Sequence, residues 1–236
     1  MPLPYFFHPD LPQKEEAIIL GEETSKHVIS VLRMQSGESM MLTDGLGRLA
    51  EAVIFSDHRK RCEVRIARLD KSERPLRQVT LAVSPLRNPG RFEWLLEKAT
   101  EIGISRIVPL VSARTSKVNL RMDRCISILT SAMLQSQQSW LPIMDEPFPF
   151  QSFIKDSSIK EGAKLIAHCD VGEKRSLTYI AHGLPENRII LIGPEGDFTT
   201  NEIEFAIQAG FIPVDIGPRR LRTETAALVA SVHLME

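Results

Sequence analysis

Gly193-Pro194-Glu195-Gly196 and Gly217-Pro218-Arg219-Arg220-Leu221-Arg222-Thr223-Glu224-Thr225 are the two stretches that decide how this chain is read. Each follows a short apolar run, and each leads into a helix-forming segment. Two glycine-bounded loops at strand ends, with open amides and little side-chain bulk, can wall one ligand cleft. Gly193 and Gly196 permit backbone angles and a close approach that a Cβ would obstruct, while Pro194 stiffens the turn. Glu195 is placed to hold a ribose hydroxyl or to anchor a neighbouring loop. Alone, this motif also reads as an ordinary turn between a strand and a capped helix. With its partner it places the chemistry in the last quarter of the chain.

The second loop concentrates charge. Arg219, Arg220 and Arg222 fall just before a helix start. They are either a solvated cluster or guanidinium forks beside free amides, suited to an anionic group. Glu224 sits in the first helical turn, where the helix dipole favours a carboxylate, and it can hold Arg222 in position. Thr223 is the expected cap, and Ala226, Ala227, Val229, Ala230 and Val232 form a small-residue face. Upstream, Thr199-Thr200-Asn201-Glu202 has the spacing of a capping box, for a helix that stops at Gly210. The dinucleotide fingerprint G-x-G-x-x-G, the P-loop and the G-x-S-x-G elbow do not occur here, which weighs against dehydrogenase, nucleoside triphosphatase and α/β-hydrolase readings.

Outward from these loops the chain divides near residue 74, where the charged run from Asp70 ends in Pro75. Residues 1–74 read as a compact β-rich domain. Ala17 to Leu20, Ser39 to Thr43, Leu49 to Phe55 and Cys62 to Leu69 are its strands, Asp44-Gly45 is a turn, and Ser25 to Leu32 is a helical turn. Residues 75–236 alternate strands and helices. Strands are expected at Gln78 to Val83, Ile107 to Leu110, Leu165 to His168 and Ile189 to Ile192. Helices are expected at Arg91 to Ile102, closed by Gly103, and at Asp123 to Gln137. Pro109 argues for a strand edge or end. Asp145 to Glu161 reads as a loop with a short helix around Phe150 to Ile154. This order implies a mainly parallel α/β sheet covered on both faces.

Composition sets broad limits. With 236 residues, 43% hydrophobic and 25% charged, the chain is of ordinary globular character, and its formal charge of −1 makes no electrostatic case for a nucleic-acid partner. The proline-rich start lacks the pattern of a secretory signal. No apolar run is long enough for a membrane span. Cys62, Cys125 and Cys169 form no metal pattern or disulfide framework, which suits a reducing cytoplasm. His168, at a strand end, reads as a packing or backbone-bonding group rather than a catalyst. His27 and Arg33, flanking an apolar turn, are solvated groups or RNA contacts.

The chain resembles the bacterial 16S ribosomal RNA uridine-N3 methyltransferases of the knotted SPOUT class. The likeness runs from Tyr5-Phe6-Phe7, His27 and Val31-Leu32-Arg33-Met34 through Asp44-Gly45 and Arg91-Phe92-Glu93-Trp94-Leu95-Leu96-Glu97-Lys98-Ala99-Thr100-Glu101-Ile102-Gly103. It continues in Ser131-Ala132-Met133, Gln135-Ser136 and Leu141-Pro142, and ends in Ile192 to Gly196 and Leu221 to Ala226. The last two motifs, in this order near the C-terminus, are specific together.

The resemblance implies an N-terminal PUA-like β-barrel for RNA over 1–74. Over 75–236 it implies a C-terminal SPOUT α/β domain with a deep trefoil knot that binds S-adenosylmethionine. It implies a cytoplasmic homodimer acting on 16S rRNA in the small ribosomal subunit, without a metal and without a membrane. Cofactor contacts are expected from Leu191, Ile192, Gly193, Glu195 and Gly196 in one loop, and from Ile216, Gly217, Leu221, Arg222 and Thr223 in the other. Arg222 and Glu224 are the implied catalytic pair. His27, Arg33, Arg87, Arg91 and Gln135 are the implied RNA contacts. Several positions depart from the family pattern. Asp197 replaces a common glycine, Arg87 a lysine, Leu134 a glutamate and Gln138 an arginine, and Arg220 stands at a variable aliphatic or polar position. The changes at 134 and 138 read as altered RNA contact. A noncatalytic RNA-binding factor and a nucleotide hydrolase with an arginine clamp are the rival readings.

Overall fold

The computed structural model describes residues 3–12, 14, 16–116, 119–156 and 161–236. Along the chain lie β1 (Tyr5–Phe7), β2 (Ala17–Ile19), α1 (Glu22–Lys26) with a π-helical turn at His27–Val31, β3 (Ser39–Thr43), β4 (Arg48–Ser56), β5 (Glu63–Lys71) and β6 (Gln78–Val83). Then come α2 (Pro89–Ile102), β7 (Arg106–Val111), α3 (Met122–Gln135), β8 (Ile143–Met144), β9 (Phe148–Pro149), α4 (Phe150–Lys155) and β10 (Ala163–Ala167). The chain ends with β11 (Arg175–Ser176), α5 (Leu177–Ile180), β12 (Asn187–Ile192), α6 (Thr200–Gln208), β13 (Ile212–Asp215) and α7 (Thr223–Met235). Residues 157–160 of the expected Asp145–Glu161 loop lie outside the described residues. Two compact units form: 1–74 with 133–141, and 75–132 with 142–236.

The first unit is a curled five-stranded sheet in the order β1-β3-β4-β5-β2, antiparallel except for the parallel pair β1–β3. Alternate residues of its long strands, among them Ala50, Ala52 and Ile54 of β4 and Val64 and Ile66 of β5, point into one core with Val28, Met40 and Leu42. That alternation is the period-2 pattern of a half-buried strand. The segment 133–141 belongs here because it is hydrogen-bonded in. The Gly47 amide donates to the Ser139 carbonyl at 2.8 Å, and the Leu141 amide donates to Gly45 at 2.8 Å. At Gly47, with φ +90°, an added Cβ would run into the Trp140 indole. The glycine is therefore needed both for its angle and for its lack of a side chain.

The second unit is built on an all-parallel sheet in the order β11-β13-β10-β12-β6-β7-β8, with β9 also beside β7. Its central strands are apolar on both faces, and Ile189 to Ile192 are all buried, as parallel strands under two helical layers require. The expectation that Pro109 marks a strand edge or end is corrected, since it lies inside β7. β7 is an interior strand, and Val83 of β6 pairs with Pro109. Ser105 and Ile107 accept from the amides of Ile143 and Asp145 on the far side. By alternation Pro109 faces that same side, at the gap between β8 and β9, where no ladder bond needs its missing N–H.

The capping box forms as its spacing required: Thr199 Oγ1 accepts from the Glu202 amide, and Glu202 Oε2 accepts from the Thr199 amide at 2.9 Å. The start of α7 differs from expectation. Its cap is Arg222, without a side-chain cap bond, and Thr223 is already helical. Its buried face is Ala227, Ala230, Ser231 and Leu234 rather than the stripe ending in Val232, which is 41% exposed.

Candidate active site

The carboxyl ends of β10, β12 and β13 open into one pocket of about 870 Å³. Ala167 of β10 pairs with Ile192 of β12 and with Val214 of β13. The residues that follow these strands therefore leave the sheet side by side, the usual place for a ligand in an open parallel sheet. The walls are His168 and Cys169, Ile192 to Glu195 with Asp197, and the run from Val214 to Glu224, closed by Arg91, Lys174 and Ala226. The two glycine-bounded loops face each other across this space.

Most of the expected cofactor set meets here. Ile192, Gly193, Glu195, Ile216, Gly217, Leu221, Arg222 and Thr223 all line the pocket. Leu191 does not; it is a core residue packed with Phe150, Phe198 and Phe211. Gly196 also lies outside the lining. A Cβ there would meet the Arg114 side chain, with its nearest atom at an ordinary 3.5 Å. Gly193 is the tighter position, since its Cβ would meet the Phe198 amide nitrogen at 3.1 Å. Gly217 has φ +155°, an angle that side chains rarely adopt.

Each loop is fixed by side-chain bonds, of which those of Arg114 and Asp215 were not read from the sequence. Arg114 NH1 donates to the Gly196 carbonyl at 2.7 Å. Glu195 Oε1 accepts from the Arg87 amide at 3.2 Å, the loop-anchoring alternative of the two read from the sequence. Asp197, in the left-handed region at φ 64°, accepts from the Cys169 amide at 2.7 Å and the Phe198 amide at 2.8 Å. Asp215 Oδ1 takes the Gly217 amide at 2.9 Å. The carboxylates of Asp197 and Asp215 thus take up the amides of Cys169, Phe198 and Gly217 and hold the loop backbones in place.

Glu224 is 7% exposed, and its carboxylate lies 3.8 Å from Nε of Arg91, a charge contact rather than a hydrogen bond. The expected pairing with Arg222 is replaced by this one, and Arg222 is exposed at the rim. Arg91, expected at RNA, stands in the pocket wall. Arg87 is exposed, with its guanidinium on Ser116 Oγ at 2.8 Å. His27, Arg33 and Gln135 are exposed in the first unit. His27 meets Phe6 edge-on at 5.8 Å, and Arg33 holds a left-handed φ of 58°.

Of the two roles expected of His168, packing and a backbone bond, the ring takes the first. Neither ring nitrogen has a hydrogen-bond partner. Burial, and next the Lys174 charge, push its pKa down against the pull of Asp197 and Asp170. Cys62 and Cys125 are buried free thiols and Cys169 is an exposed one. Among the described residues no helix is long and apolar enough to cross a membrane, and no group of three or more His, Cys, Asp or Glu side chains is placed to hold a metal.

A model of the RNA methyltransferase domain matches residues 72–235, and a model of the RNA methyltransferase PUA domain matches residues 20–67. The ribosomal RNA small subunit methyltransferase E of Synechocystis is 31% identical over 223 residues, which span 93% of this chain and 73% of the relative. The chain belongs to the ribosomal RNA small subunit methyltransferase E family.

Solved members of similar shape agree with that placement. A structure described as a probable rRNA-methyltransferase from Porphyromonas gingivalis is 37% identical, with a TM-score of 0.88 over 97% of this chain and 95% of that one. The family enzyme of Neisseria gonorrhoeae, solved bound to S-adenosylmethionine, is 28% identical, with a TM-score of 0.83 over 97% of this chain and 95% of that one.

Proposed function

We propose that this protein transfers the methyl group of S-adenosylmethionine to N3 of one uridine in 16S rRNA of the small ribosomal subunit, in the cytoplasm and as a homodimer. The observation that carries the reading is the pocket between the 193–197 and 214–224 segments, in a chain of this family. Its volume suits a nucleoside-sized ligand, and its wall offers the carbonyls and amides of two loops, the buried imidazole of His168 and a rim of arginines. These groups fit a ligand with an adenosine body and a charged amino-acid end.

When bound, S-adenosylmethionine supplies an electrophilic methyl group on a sulfonium, which leaves as a neutral thioether. The 193–197 and 214–224 segments would hold the cofactor, which would supply the methyl group for an in-line transfer. Uracil N3 carries a proton, so charge develops on the imide as that proton departs to solvent. A guanidinium of the pocket wall, oriented by Glu224, stabilises this charge. The target base leaves its stack to reach the pocket, and His27, Arg33, Arg87 and Gln135 bind RNA.

A deep trefoil knot at the cofactor loops is part of the same proposal. The chain path supports it. α7 descends from β13 near one side of the sheet yet packs against β6 and β12 at its centre. Dimer formation is supported by apolar side chains left exposed on helices of the second unit: Trp94 at 45%, Ile126 at 46% and Val232 at 41%. Mass analysis of 16S rRNA from cells lacking the protein tests the activity. Loss of an N3-methyluridine mark, restored by purified protein with labelled S-adenosylmethionine, is the expected result. A mark retained in the deletion strain overturns the assignment.

A further inference from the structure

Arg91 sits in the first turn of α2, where Asn88 caps the helix by accepting from the amides of Gly90 and Arg91. The backbone from which its side chain springs is therefore fixed. The guanidinium reaches the pocket wall, and its Nε stands 3.8 Å from the Glu224 carboxylate. That carboxylate is only 9% exposed and belongs to the first turn of α7. α2 and α7 pack against one another, so two helices set the separation of the pair. The Arg91 side chain remains 46% exposed, with donors left over for a ligand. Arg219, Arg220 and Arg222 are exposed on the loop, and none of them forms an ion pair among the described residues.

A donor held in place before the reaction stabilises developing charge better than one that must be ordered during it. By that criterion the rim arginines are suited to gathering an anionic ligand and Arg91 to the chemical step. We propose that Arg91 is a catalytic residue that stabilises the uracil imide anion at the moment of methyl transfer, and that Glu224 is its positioning residue. This rests on the methyltransferase reading and deepens it. In the step, the bond from N3 to the methyl carbon forms, the carbon–sulfur bond breaks and the N3 proton passes to water. Arg91 gains and loses no proton.

The test uses the full-length protein, small ribosomal subunits lacking the mark and S-adenosylmethionine. Single-turnover methylation is measured beside calorimetric cofactor affinity and subunit binding. Arg91→Ala is expected to slow transfer about 100-fold, with both affinities unchanged. Arg91→Lys should recover part of the rate, since it restores the charge without the fork. Glu224→Gln should lower kcat with KM unchanged, and adding it to Arg91→Ala should slow the reaction no further. Thermal melting of each variant guards against loss of fold at buried Glu224, and Arg91→Ala, at an exposed side chain, carries the test alone if Glu224→Gln unfolds. The proposal is overturned if Arg91→Ala weakens cofactor or subunit binding as much as it slows transfer, if the two substitutions add, or if Arg91→Ala turns over normally. Failure of the unaltered protein to methylate the subunits at all sinks the methyltransferase reading itself, a result distinct from those.

Discussion

Asp197 Oδ2 accepts a hydrogen bond from the Cys169 amide at 2.7 Å, which ties the loop after β12 to the second residue beyond β10. Its other oxygen takes the Phe198 amide at 2.8 Å, and its backbone sits at φ 64°. Asp and Asn tolerate this left-handed region better than most residues because their short side chains bond locally. Aspartate at this position thus keeps the backbone angle and adds a strut. Asp197→Ala should lower stability by about 1–2 kcal/mol and weaken cofactor binding. Asp197→Asn, which retains an acceptor, should lose less. Denaturant melts and calorimetry check the order, and equal losses would remove the strut from the explanation.

Glycine at 196 and glycine at 47 should respond in opposite ways. A methyl at 196 meets only the Arg114 side chain at ordinary distance, so Gly196→Ala should bind S-adenosylmethionine within about twofold of the parent. A methyl at Gly47 would fall within 2.6 Å of Trp140 Cε2, at a φ of +90°. Gly47→Ala should therefore cost about 1–3 kcal/mol through overpacking alone. Binding isotherms for the first and melts for the second settle both.

His168 should make the fold sensitive to mild acid. Its folded pKa lies below the ordinary 6.5, with burial the main cause and Lys174 the second, opposed by Asp197 and Asp170. The unfolded chain therefore takes up a proton first as pH falls through 6.5, and stability drops there until the folded pKa is passed. Replacing His168 by leucine should flatten this part of the stability–pH curve. It should also leave the midpoint at neutral pH equal or higher, because two unpaired ring nitrogens disappear. A steeper acid loss in the variant would contradict this account.

Asp44 should govern stability at lower pH. Burial raises its pKa, but the Arg48 guanidinium and the amides of Leu46 and Arg48 outweigh burial and hold it below the ordinary 3.8. Arg48 Nε lies 2.6 Å from Oδ2, and the Leu46 amide lies 2.8 Å from Oδ1. A depressed carboxyl gives stability that is complete above the unfolded pKa and is lost as pH falls through the folded one. Asp44→Asn should cost roughly 1.5–3 kcal/mol at neutral pH and remove that acid step, as urea melts across pH 2 to 7 would record.

Local pattern carried much of the molecule. The alternation in Leu49 to Phe55 and Cys62 to Leu69, the apolar run Ile189 to Ile192 and the Thr199–Glu202 capping box became the elements that their spacing required, because each depends on neighbours within a turn or a strand. Tyr5–Phe7 and Arg175–Ser176 were not legible, since strands this short acquire their identity only from Met41 to Thr43 and from Val214 and Asp215 beside them. Thr223 looked like a cap, but the backbone enters the helix one residue earlier, at Arg222.

The chain itself determined that two glycine-bounded loops would border a ligand site and which family motifs they carry. Tertiary structure alone decided that Glu224 faces Arg91 instead of Arg222, that Gly196 lies against the Arg114 side chain and that His168 keeps two unpaired nitrogens. The reason is physical. Caps, turns and amphipathic faces follow from bonds a few residues long, whereas partners more than a hundred residues apart are chosen by how helices and strand ends pack, which no local pattern encodes.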